Sequence, residues 1–439
     1  MRILWVCNIC LPVIARHLGL EASNKEGWLS GLVDSILSRQ QENGIELAVA
    51  FPVEQEKDGY RELFFTENGG KLSCYGFYED VANAESYHQE LEEKLDFICK
   101  DFKPDVIHCF GTEYGHALAV TKICERRERV LIGIQGLCSA CADAYMASLP
   151  EKVQKTVTFR DVVKKDTLLK QQEKFAIRGQ REIETIKGAG NITGRTAWDR
   201  RIVTEWNPGA EYHSMNETLR ACFYEGQWDA SKCEKGRIFL SQGDYPLKGL
   251  HYMLLALSGI REHFPEVKVC VAGSSLIEDR TIKDRIKRSA YGRYLKKIIR
   301  KNHLEEHVVF LGRLNAEQMK EQYLKAELFV CCSSLENSPN SLGEAMILGV
   351  PCVSADVGGV PSVFKDGVDG LMYRGFCKDG EPSLEEIALN LQNAVYKMMS
   401  DPESAVLYGK NARNHALETH NREKNYSRLL EIYAVIAGK

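Results

Sequence analysis

The chain has 439 residues, of which 44% are hydrophobic and 27% are charged, and its formal net charge is −4. This length suits two or three domains, the composition is typical of a globular protein with a full core, and the weakly acidic balance argues against a nucleic-acid partner. The 15 cysteines, an odd number, indicate reduced thiols in the cytoplasm rather than a disulfide framework. No segment contains the roughly 20 consecutive apolar residues that a membrane-spanning helix needs.

The first apolar run, residues 2–9, can be interpreted as a buried strand or as part of a secretory signal. Asn8 interrupts the run, and Arg16 and His17 follow without a clear small-residue cleavage site. We therefore expect a strand.

Ten short apolar runs of this kind alternate with helical patterns along the chain. They suit strands that are buried on both faces of a parallel sheet. The runs lie at 2–9, 46–51, 105–111, 130–136 and 191–196, then at 237–243, 267–274, 308–313, 327–333 and 351–356. The two series predict an α/β protein with two doubly wound, Rossmann-like domains that face each other across a cleft.

The alternation of strands and helices is broken at residues 207–236, which we predict to be the connection between the domains. The N-terminal domain would then be 1–206 and the C-terminal domain 237–417. Ligands of doubly wound sheets bind beyond the carboxyl ends of the strands. The residues that follow the strands are therefore the candidates for a site.

Two glutamates follow the strand at 327–333. Glu336 lies in the predicted loop, and Glu344 lies in the first turn of a helix predicted to start near Ser341–Leu342 and to end at Gly349. The N-terminus of such a helix can hold a phosphate, and a carboxylate can accept hydrogen bonds from sugar hydroxyls. A nucleotide-sugar would use all of these groups.

Each glutamate also has a purely structural interpretation. Ser341 and Glu344 have the spacing of a capping box, and Glu336 can be a solvated loop residue.

The segment ENSPNSLGEAMILGVPCVSADVGGVP resembles the signature of retaining glycosyltransferases of family 4, which have the GT-B fold. Three other segments, YPLKGLHYMLLALSGI, VVFLGRL and DGVDGLMY, resemble the same family's donor domain. In the N-terminal half, DVIHCFGTEYGHALA, IQGLCSA and ITGRTAWDRR are most similar to enzymes of bacterial capsular or exopolysaccharide assembly. The resemblance implies an acceptor-binding N-terminal domain, a donor-binding C-terminal domain, and a last helix, 418–439, that returns to the first domain.

The resemblance also implies roles for single residues. Glu344 would bind the ribose hydroxyls, Glu336 would lie near the transferred sugar, and Lys248 would neutralise the leaving diphosphate. Backbone amides at the start of the helix would hold the diphosphate, and the ends of two other strands would border the rest of the nucleotide. These remaining donor-side candidates are Asn340, Ser341, Leu342, Gly273, Arg313 and Leu314.

The leaving diphosphate has to be neutralised, and some transferases use a metal held by an Asp-x-Asp motif for this. No persuasive Asp-x-Asp occurs here, and Lys248 together with the helix N-terminus can replace the metal. We therefore expect metal-independent chemistry without a cofactor. The family retains anomeric configuration, by same-face attack in which the donor phosphate helps to remove the acceptor proton.

The sequence departs from the family at two places. Gln242 or Gly243 stands near the position of a common arginine, and Gln135 stands where a histidine is often found. His116 is a candidate substitute for that histidine, or simply a helix residue.

Three further residues complete the acceptor-side candidates. Gly27 and Glu113 are two of them. Arg195 follows a predicted strand, and it can meet an acceptor phosphate or be an ion-pair partner on a following helix.

Two patterns stay open. The pairs Cys7/Cys10 and Cys138/Cys141 have C-x-x-C spacing, which can belong to a zinc site or arise by chance in a cysteine-rich chain. Residues 280–301 form a basic amphipathic pattern, which suits an anionic membrane surface or a helix packed on the donor sheet with a solvated basic face.

We therefore predict a cytoplasmic retaining glycosyltransferase that moves a sugar from a nucleotide-sugar to a glycan or lipid-linked acceptor in bacterial surface polysaccharide synthesis. Peripheral contact with the inner face of the membrane stays open, and no nucleic-acid partner is expected. The alternatives are a related enzyme that is not a transferase, such as a nucleotide-sugar epimerase, and a non-catalytic sugar- or partner-binding module. A phosphorylase would need a lysine for pyridoxal phosphate, which we do not identify.

Overall fold

The computed structural model describes residues 1–20, 27–66, 69–277, 281–378 and 382–438. The chain divides into two compact units. Unit 1 comprises Met1–Ser139, Phe175–Arg220 and Thr419–Lys439, and unit 2 comprises Ala140–Lys174 and Ala221–Glu418.

The described residues of unit 1 contain a sheet of eight strands in the order β3-β4-β2-β1-β5-β6-β7-β8. All neighbours are parallel except β3 and β4, which are antiparallel. The strands are β1 (Arg2–Val6), β2 (Glu46–Val53), β3 (Arg61–Phe65), β4 (Lys71–Tyr78), β5 (Val106–Phe110), β6 (Val130–Gly133), β7 (Asn191–Gly194) and β8 (Glu211–Ser214). The central strand β5 is buried along its whole length, as its apolar composition predicts.

The described residues of unit 2 contain a sheet of six strands in the order β11-β10-β9-β12-β13-β14. All of its neighbouring strands are parallel. The strands are β9 (Glu234–Leu240), β10 (Lys268–Val271), β11 (Val308–Phe310), β12 (Ala326–Cys331), β13 (Cys352–Asp356) and β14 (Leu371–Arg374).

Helices connect the strands. In chain order they are α1 (Pro12–His17), α2 (Gly27–Ser38), α3 (Gln40–Asn43), α4 (Glu90–Phe102), α5 (Gly115–Ile123), α6 (Cys138–Ala144), α7 (Glu151–Gln154), α8 (Phe159–Lys164), α9 (Leu168–Gly188), α10 (Ala197–Trp206), α11 (Leu250–His263), α12 (Ile282–Lys287), α13 (Ala290–Lys301), α14 (Ala316–Lys325), α15 (Asn340–Leu348), α16 (Leu384–Ser400), α17 (Pro402–Thr419) and α18 (Arg422–Ile436). Parallel strands joined by helices, in an order that reverses at β1 and at β9, confirm the prediction of two doubly wound, Rossmann-like sheets.

Each of the ten predicted runs contains or overlaps a strand, but the sequence did not indicate β3, β4, β8 or β14. β3 lies at the edge of its sheet and exposes most of its residues, so it lacks the apolar character that marks a buried strand. β8 is another edge strand, with the sequence EYHS, and it lies inside the predicted connection 207–236. An edge strand needs little apolar surface, so a search for apolar runs can miss it, although the same search found the edge strand β11. This reason does not apply to β4, which is an inner and mostly buried strand.

The boundaries of the two units differ from the predicted domain boundaries, because residues 140–174 were expected in the N-terminal domain. This segment belongs to unit 2, although it precedes the last two strands of unit 1 in the chain. Hydrogen bonds tie it to the loops and helices of the second sheet. The carbonyl of Ala144 accepts from Ser334 Oγ at 3.4 Å, and the carbonyl of Ala147 lies 2.8 Å from His251 Nε2.

The last helix, α18, belongs to unit 1 and packs on its central strands. The hydroxyl of Tyr433 accepts a hydrogen bond from Trp5 Nε1 at 2.7 Å and lies 2.8 Å from Nδ1 of the buried His108. Asn43 Nδ2 donates to the hydroxyl of Tyr426 at 2.9 Å. These hydrogen bonds fix the position of α18 on the sheet more specifically than apolar contacts alone would.

Candidate functional site

Lys248 and Glu336 meet at the carboxyl end of the unit 2 sheet. Lys248 ends a short 3₁₀ turn, Pro246–Lys248, between β9 and α11, and Glu336 lies in the loop after β12. The Lys248 Nζ lies 2.6 Å from Glu336 Oε1, and the two side chains are only 21% and 14% exposed. Ser333 Oγ donates to the same carboxylate oxygen at 2.7 Å. Glu336 is therefore an engaged, mostly buried carboxylate and not a solvated loop residue.

A glycine next to Lys248 allows the two loops to approach each other. Gly249 has φ +69°, and a Cβ at this position would overlap the carbonyl oxygen of Cys332. Ser334 N donates to the carbonyl of Leu247 at 2.8 Å and joins the same two loops. The Lys-Gly pair of the sequence thus combines a cation with the only residue type that fits beside it.

The paired glycine of the signature supports Glu336 from the other side. Gly358 has φ +53°, and a Cβ there would overlap the carbonyl oxygen of Glu336. Gly359 N donates to that carbonyl at 2.9 Å. The sequence alone assigned no role to this glycine pair. The structure shows that it holds the backbone that carries the carboxylate.

The ammonium of Lys248 stays charged in this setting. Burial alone would lower the pKa of Lys248, but the neighbouring Glu336 carboxylate outweighs it and, with Tyr245, raises the pKa above its ordinary value. The ion pair is electrically neutral as a whole. An anion that reaches Lys248 has to compete with Glu336 for it.

Helix α15 begins directly after this loop, and its start differs from the prediction. It begins at Asn340, after Pro339, and not at Ser341–Leu342. Ser341 is consequently the second residue of the helix, and the proposed capping box with Glu344 does not form. Pro339 occupies the N-cap position with an extended backbone, ψ 113°, and no side-chain hydrogen bond caps the helix. The backbone amides of the first turn, which includes Asn340, Ser341 and Leu342, lie at the end of the helix that favours anions.

Glu344 therefore lies in the second turn of α15 rather than the first. It is only 5% exposed, and its Oε2 lies 3.3 Å from the hydroxyl of Tyr323. The same hydroxyl donates to the carbonyl of Ser341 at 3.0 Å. A buried carboxylate with a tyrosine beside it is oriented, and it keeps acceptor capacity for further hydroxyl groups.

The remaining donor-side candidates lie at the ends of the neighbouring strands. Gly273, after β10, donates its N–H to the carbonyl of Gly312 at 2.8 Å. Arg313, which is exposed, and Leu314, which is half-buried, follow Gly312 directly. A Cβ on Gly273 would overlap the carboxylate of Asp244, after β9. The ends of β9, β10 and β11 thus converge.

Asp244 is a residue of this region that was not singled out from the sequence. Partial burial raises its pKa, while the charges of Arg313 and Lys248 act in the opposite direction without cancelling the effect. Asp244 and Tyr245 also border a cavity of about 450 Å³, whose opposite side is formed by residues of the 140–174 segment such as Arg160 and Gln171. In the sequence, Asp244 could have been recognised as a carboxylate two residues before the Pro-Leu-Lys turn.

The structure explains one departure from the family pattern. A Cβ on Gly243 would lie 2.8 Å from Leu250 Cδ2 and 3.0 Å from Val271 Cγ1, so an arginine does not fit there without a shift of its neighbours. Gln242, one residue earlier, is half-buried and uncharged. Close packing of β9 and β10 against α11 therefore accounts for the missing cation.

Two acceptor-side candidates come together in unit 1. Gly111, with φ +89° at the end of β5, lies beside both Glu113 and Gln135, because a Cβ on Gly111 would overlap the Glu113 carboxylate and lie 3.2 Å from Gln135 Oε1. Gln135 belongs to the loop after β6. The ends of β5 and β6 thus present a carboxylate and an amide side by side.

A buried carboxylate that was not predicted from the sequence holds these two loops. Glu182 is fully buried; its Oε2 accepts from Thr112 Oγ1 at 2.7 Å and from Cys138 N at 3.0 Å. Its Oε1 accepts from the N–H of Ser139 at 3.2 Å. Burial still raises the pKa of Glu182, although these hydrogen bonds oppose the shift. No local pattern marks such a residue, because its partners lie more than 40 positions away in the chain.

His116 is occupied inside unit 1. Its Nδ1 lies 2.6 Å from Glu79 Oε2, and the two side chains are 1% and 3% exposed. Burial disfavours the imidazolium, but the Glu79 carboxylate outweighs burial and raises the pKa of His116 to about 10. The structure thus matches the alternative of a helix residue with a structural partner.

Arg195 is likewise paired within unit 1. Its guanidinium NH1 lies 2.9 Å from Glu217 Oε2, and both side chains are almost completely buried. Arg195 therefore forms an ion pair, as one of the two alternatives proposed, but its partner Glu217 lies in the segment after β8 and not on a helix. Gly27 is the first residue of α2, and the residues before it, 21–26, lie outside the described part of the chain.

The structure bears on the two sequence patterns that were left open, which are the C-x-x-C pairs and the basic amphipathic pattern at 280–301. Cys7, Cys10, Cys138 and Cys141 are not joined in disulfides, and among the described residues no group of three His, Cys, Asp or Glu side chains is placed to hold a metal ion. Within 280–301, α13 buries its apolar face, which includes Leu295 and Ile298. That face is packed inside unit 2, so it cannot insert into a membrane. Within the described ranges, no helix has both the length and the apolar character needed to cross a bilayer.

Comparison with known proteins adds a sequence match and a fold match. Residues 227–415 match the family model described as glycosyl transferases group 1. The N-acetyl-alpha-D-glucosaminyl L-malate synthase of Bacillus anthracis is 28% identical over 136 residues, which are 31% of this chain and 32% of that protein. The chain spans less than half the length of the curated relatives it matches.

Similarity to solved structures extends over the whole chain. The sucrose-phosphate synthase of Thermosynechococcus elongatus has a TM-score of 0.67 at 13% identity and covers 99% of both chains. The Anabaena protein Alr3699/HepE, in complex with UDP and glucose, has a TM-score of 0.61 at 13% identity and covers 98% of both chains. The chain therefore has the GT-B fold, and its residues 227–415, which contain Lys248, Glu336 and Glu344, are similar in sequence to group 1 glycosyltransferases.

Proposed function

We propose that this protein is a retaining glycosyltransferase that uses a nucleotide-sugar donor and requires no metal. The observation that carries the proposal is the ion pair between Lys248 and Glu336, 2.6 Å apart, in the loop that leads into the N-terminus of α15. A cation, an anion-binding helix end and a carboxylate are the three groups that a sugar diphosphate needs. All three lie within the region that matches the group 1 glycosyltransferases.

The reaction breaks the bond between the anomeric carbon and the diphosphate oxygen and forms a bond from that carbon to an acceptor oxygen. Negative charge grows on the diphosphate, where Lys248 and the amides of α15 stabilise it. Positive charge grows at the anomeric carbon, which a nearby carboxylate stabilises. The acceptor hydroxyl attacks from the face that the diphosphate leaves, and its proton passes to a phosphate oxygen of the leaving nucleoside diphosphate.

Binding of the donor rearranges the ion pair between Lys248 and Glu336. Without donor, Lys248 and Glu336 neutralise each other. When the diphosphate binds, it competes for the Lys248 ammonium, and the Glu336 carboxylate becomes available for the hydroxyls of the sugar. Glu344, oriented by Tyr323, accepts hydrogen bonds from the ribose.

The Anabaena protein in complex with UDP and glucose supports a uridine diphosphate sugar as the first donor to test. The acceptor is a glycan or a lipid-linked glycan in bacterial surface polysaccharide synthesis, and the reaction takes place in the cytoplasm. The resemblance of the unit 1 loops around Glu113 and Gln135 to enzymes of capsule assembly supports this acceptor class.

The test begins with a thermal-shift screen of nucleotide-sugars and nucleoside diphosphates, because a bound ligand raises the apparent stability of the folded state. Hydrolysis of the stabilising donor is then followed by NMR in excess chelator. We expect turnover with retained anomeric configuration. Lys248→Ala should abolish most of it, whereas Lys397→Ala, which removes an exposed lysine on α16, should not.

Each rival function has its own outcome. A donor that stabilises the protein without any turnover would indicate a binding module. Conversion of the sugar into its epimer would indicate an epimerase. Activity that is lost in chelator and restored by magnesium or manganese would overturn the metal-independent mechanism.

A further inference from the structure

Helix α8 turns its apolar side to solvent. Phe159, Val162 and Val163 are each 63% exposed, and their i, i+3, i+4 spacing places them on one face of the helix. Val157, just before the helix, is 55% exposed. Scattered exposed apolar residues are common, but a contiguous apolar helix face in solvent marks an interaction surface.

Hydrogen bonds fix this orientation. Thr158 and Asp161 form a reciprocal capping box at the start of α8, and both are almost completely buried. Arg160 NH1 lies 3.2 Å from Asp161 and 3.3 Å from Asp166. The polar side of α8 therefore faces the body of unit 2, and its apolar side faces solvent.

Positive charges lie beside the apolar residues. Lys164, the last residue of α8, and Lys165, directly after it, are exposed. Lys155 and Lys170, on either side, form ion pairs with the exposed Glu151 and Glu173 and so add no net charge. Helix α12 lies beside α8 and adds Ile286, which is 44% exposed, and the exposed Lys287. The sequence of α12, residues 282–287, contains three Lys or Arg and one Asp.

We propose that this surface, called here the α8–α12 face, docks the protein on an anionic lipid bilayer. It consists of Val157, Phe159, Val162, Val163 and Ile286 with Lys164, Lys165 and Lys287. The apolar side chains enter the boundary between headgroups and acyl chains, and the lysines contact anionic headgroups. A second copy of the chain is a poorer occupant, since a symmetric contact through this face would bring the lysines of both copies together.

The docking is independent of the proposed transferase chemistry, although it would bring the enzyme to a lipid-linked acceptor. All residues of the α8–α12 face belong to unit 2. Their exposed fractions are those of the side chains in the whole chain, and not in unit 2 alone. The α8–α12 face is distinct from α13, the helix expected from the sequence to contact a membrane, whose apolar side is buried.

The test uses the full chain and co-sedimentation with vesicles. One set is phosphatidylcholine alone, and the other also contains about 30% phosphatidylglycerol as the anionic lipid. We expect binding to the anionic vesicles, little binding to phosphatidylcholine alone, and weaker binding as salt is raised.

Paired variants separate this face from general surface hydrophobicity. Phe159→Gln with Val163→Gln should lower the partition coefficient at least about tenfold, because two apolar anchors are lost. The matched control is Val406→Gln with Leu407→Gln on α17, whose side chains are 44% and 55% exposed, and it should bind like the parent.

A third variant tests the charges. Lys164→Gln with Lys165→Asn should weaken binding to the anionic vesicles while leaving the small binding to phosphatidylcholine unchanged. Asn is chosen at position 165 because Lys165 has φ 51°, and Asn tolerates this left-handed conformation. All of the replaced side chains are solvent-exposed, so thermal melts should show parental folding for every variant.

The proposal is overturned if anionic vesicles do not bind the protein, or if the α8 variant and the α17 control bind equally well. It is also overturned if sedimentation velocity shows a dimer that the Phe159 and Val163 substitutions dissociate, since the face would then join two copies of the chain.

Discussion

The backbone of Gly249 and the carbonyl of Cys332 lie so close together that no Cβ fits between them. This contact joins the loop after β9 to the loop after β12. It is the reason why Lys248, next to Gly249, reaches Glu336, which lies four residues beyond Cys332. The ion pair of the site therefore depends on a glycine that has no chemical role of its own.

Gly249→Ala should consequently lower donor turnover by about 100-fold, since a displacement of about 1 Å in a site can cost that much. The control is Gly367→Ala. Gly367 has the same φ of +69°, but no atom lies within 4 Å of the place that a Cβ would take there, so only the backbone cost of about 1–2 kcal/mol applies. Urea unfolding and donor hydrolysis measure the two effects. Equal behaviour of both variants would show that the contact with Cys332 is unimportant.

Lys248→Ala should lower kcat by about 100-fold or more and change the donor KM less, because charge on the diphosphate grows as the sugar leaves. Lys248→Arg should recover only part of the activity, since a planar fork differs from a point charge. Parental turnover in Lys248→Ala would show that the cation has been misplaced, and Arg313 would be the next candidate.

Stability distinguishes the chemical role of Lys248 from its structural one. Lys248→Ala leaves the Glu336 carboxylate without its cation and should cost about 1–3 kcal/mol of unfolding free energy. Adding Glu336→Gln should restore much of that stability but none of the activity. Recovery of activity in the double variant would indicate a purely structural pair.

Glu344→Gln should weaken nucleotide binding by about 1.5–3 kcal/mol, the scale of hydrogen bonds to a charged group. Stability without ligand should change little, because Gln has nearly the shape of Glu and its amide N–H can donate to the hydroxyl oxygen of Tyr323, whose proton goes to the carbonyl of Ser341. Isothermal titration with the nucleoside diphosphate measures the change. Equal affinity in the parent and the variant would rule out a ribose-binding role.

The buried pair of Glu79 and His116 should stabilise unit 1. His116→Gln leaves a buried, uncompensated Glu79 and should cost about 3–5 kcal/mol of unfolding free energy. The double variant, Glu79→Gln with His116→Gln, should cost less, because no buried charge remains. Urea unfolding of both variants at one pH measures this difference.

The same pair predicts a pH dependence with a definite sign. The pKa of His116 is raised from 6.5 to about 10, so its contribution is fully present below pH 6.5 and is lost as pH rises through 10. The pKa of Glu79 is lowered: burial opposes this shift, but the charge of His116 outweighs it, and the contribution of Glu79 is lost at acid pH. The stability difference between the parent and the double variant should therefore shrink between pH 6.5 and 10. A difference that grows over this range would contradict the charged pair.

Local patterns were sufficient for much of the fold. Buried parallel strands need apolar residues on both faces, so runs such as 105–111 and 327–333 are visible without any knowledge of their neighbours. Edge strands such as β3 and β8 are exempt from that requirement, and they were missed for this reason. The segment 140–174 was assigned to the wrong side of the domain boundary, because the carbonyls of Ala144 and Ala147 find their partners in Ser334 and His251, far along the chain.

For the candidate site, too, some features were determined by the sequence and others only by the tertiary structure. The sequence by itself determined that Lys248, Glu336 and Glu344 follow strands of one sheet, because residue type and spacing are local properties. Only the tertiary structure decided that Lys248 and Glu336 form an ion pair, that Glu344 lies in the second turn of α15, and that His116 and Arg195 are engaged by Glu79 and Glu217. The charge state and availability of a side chain depend on partners that are brought close by packing, and the partner of Lys248 is 88 residues away in the chain.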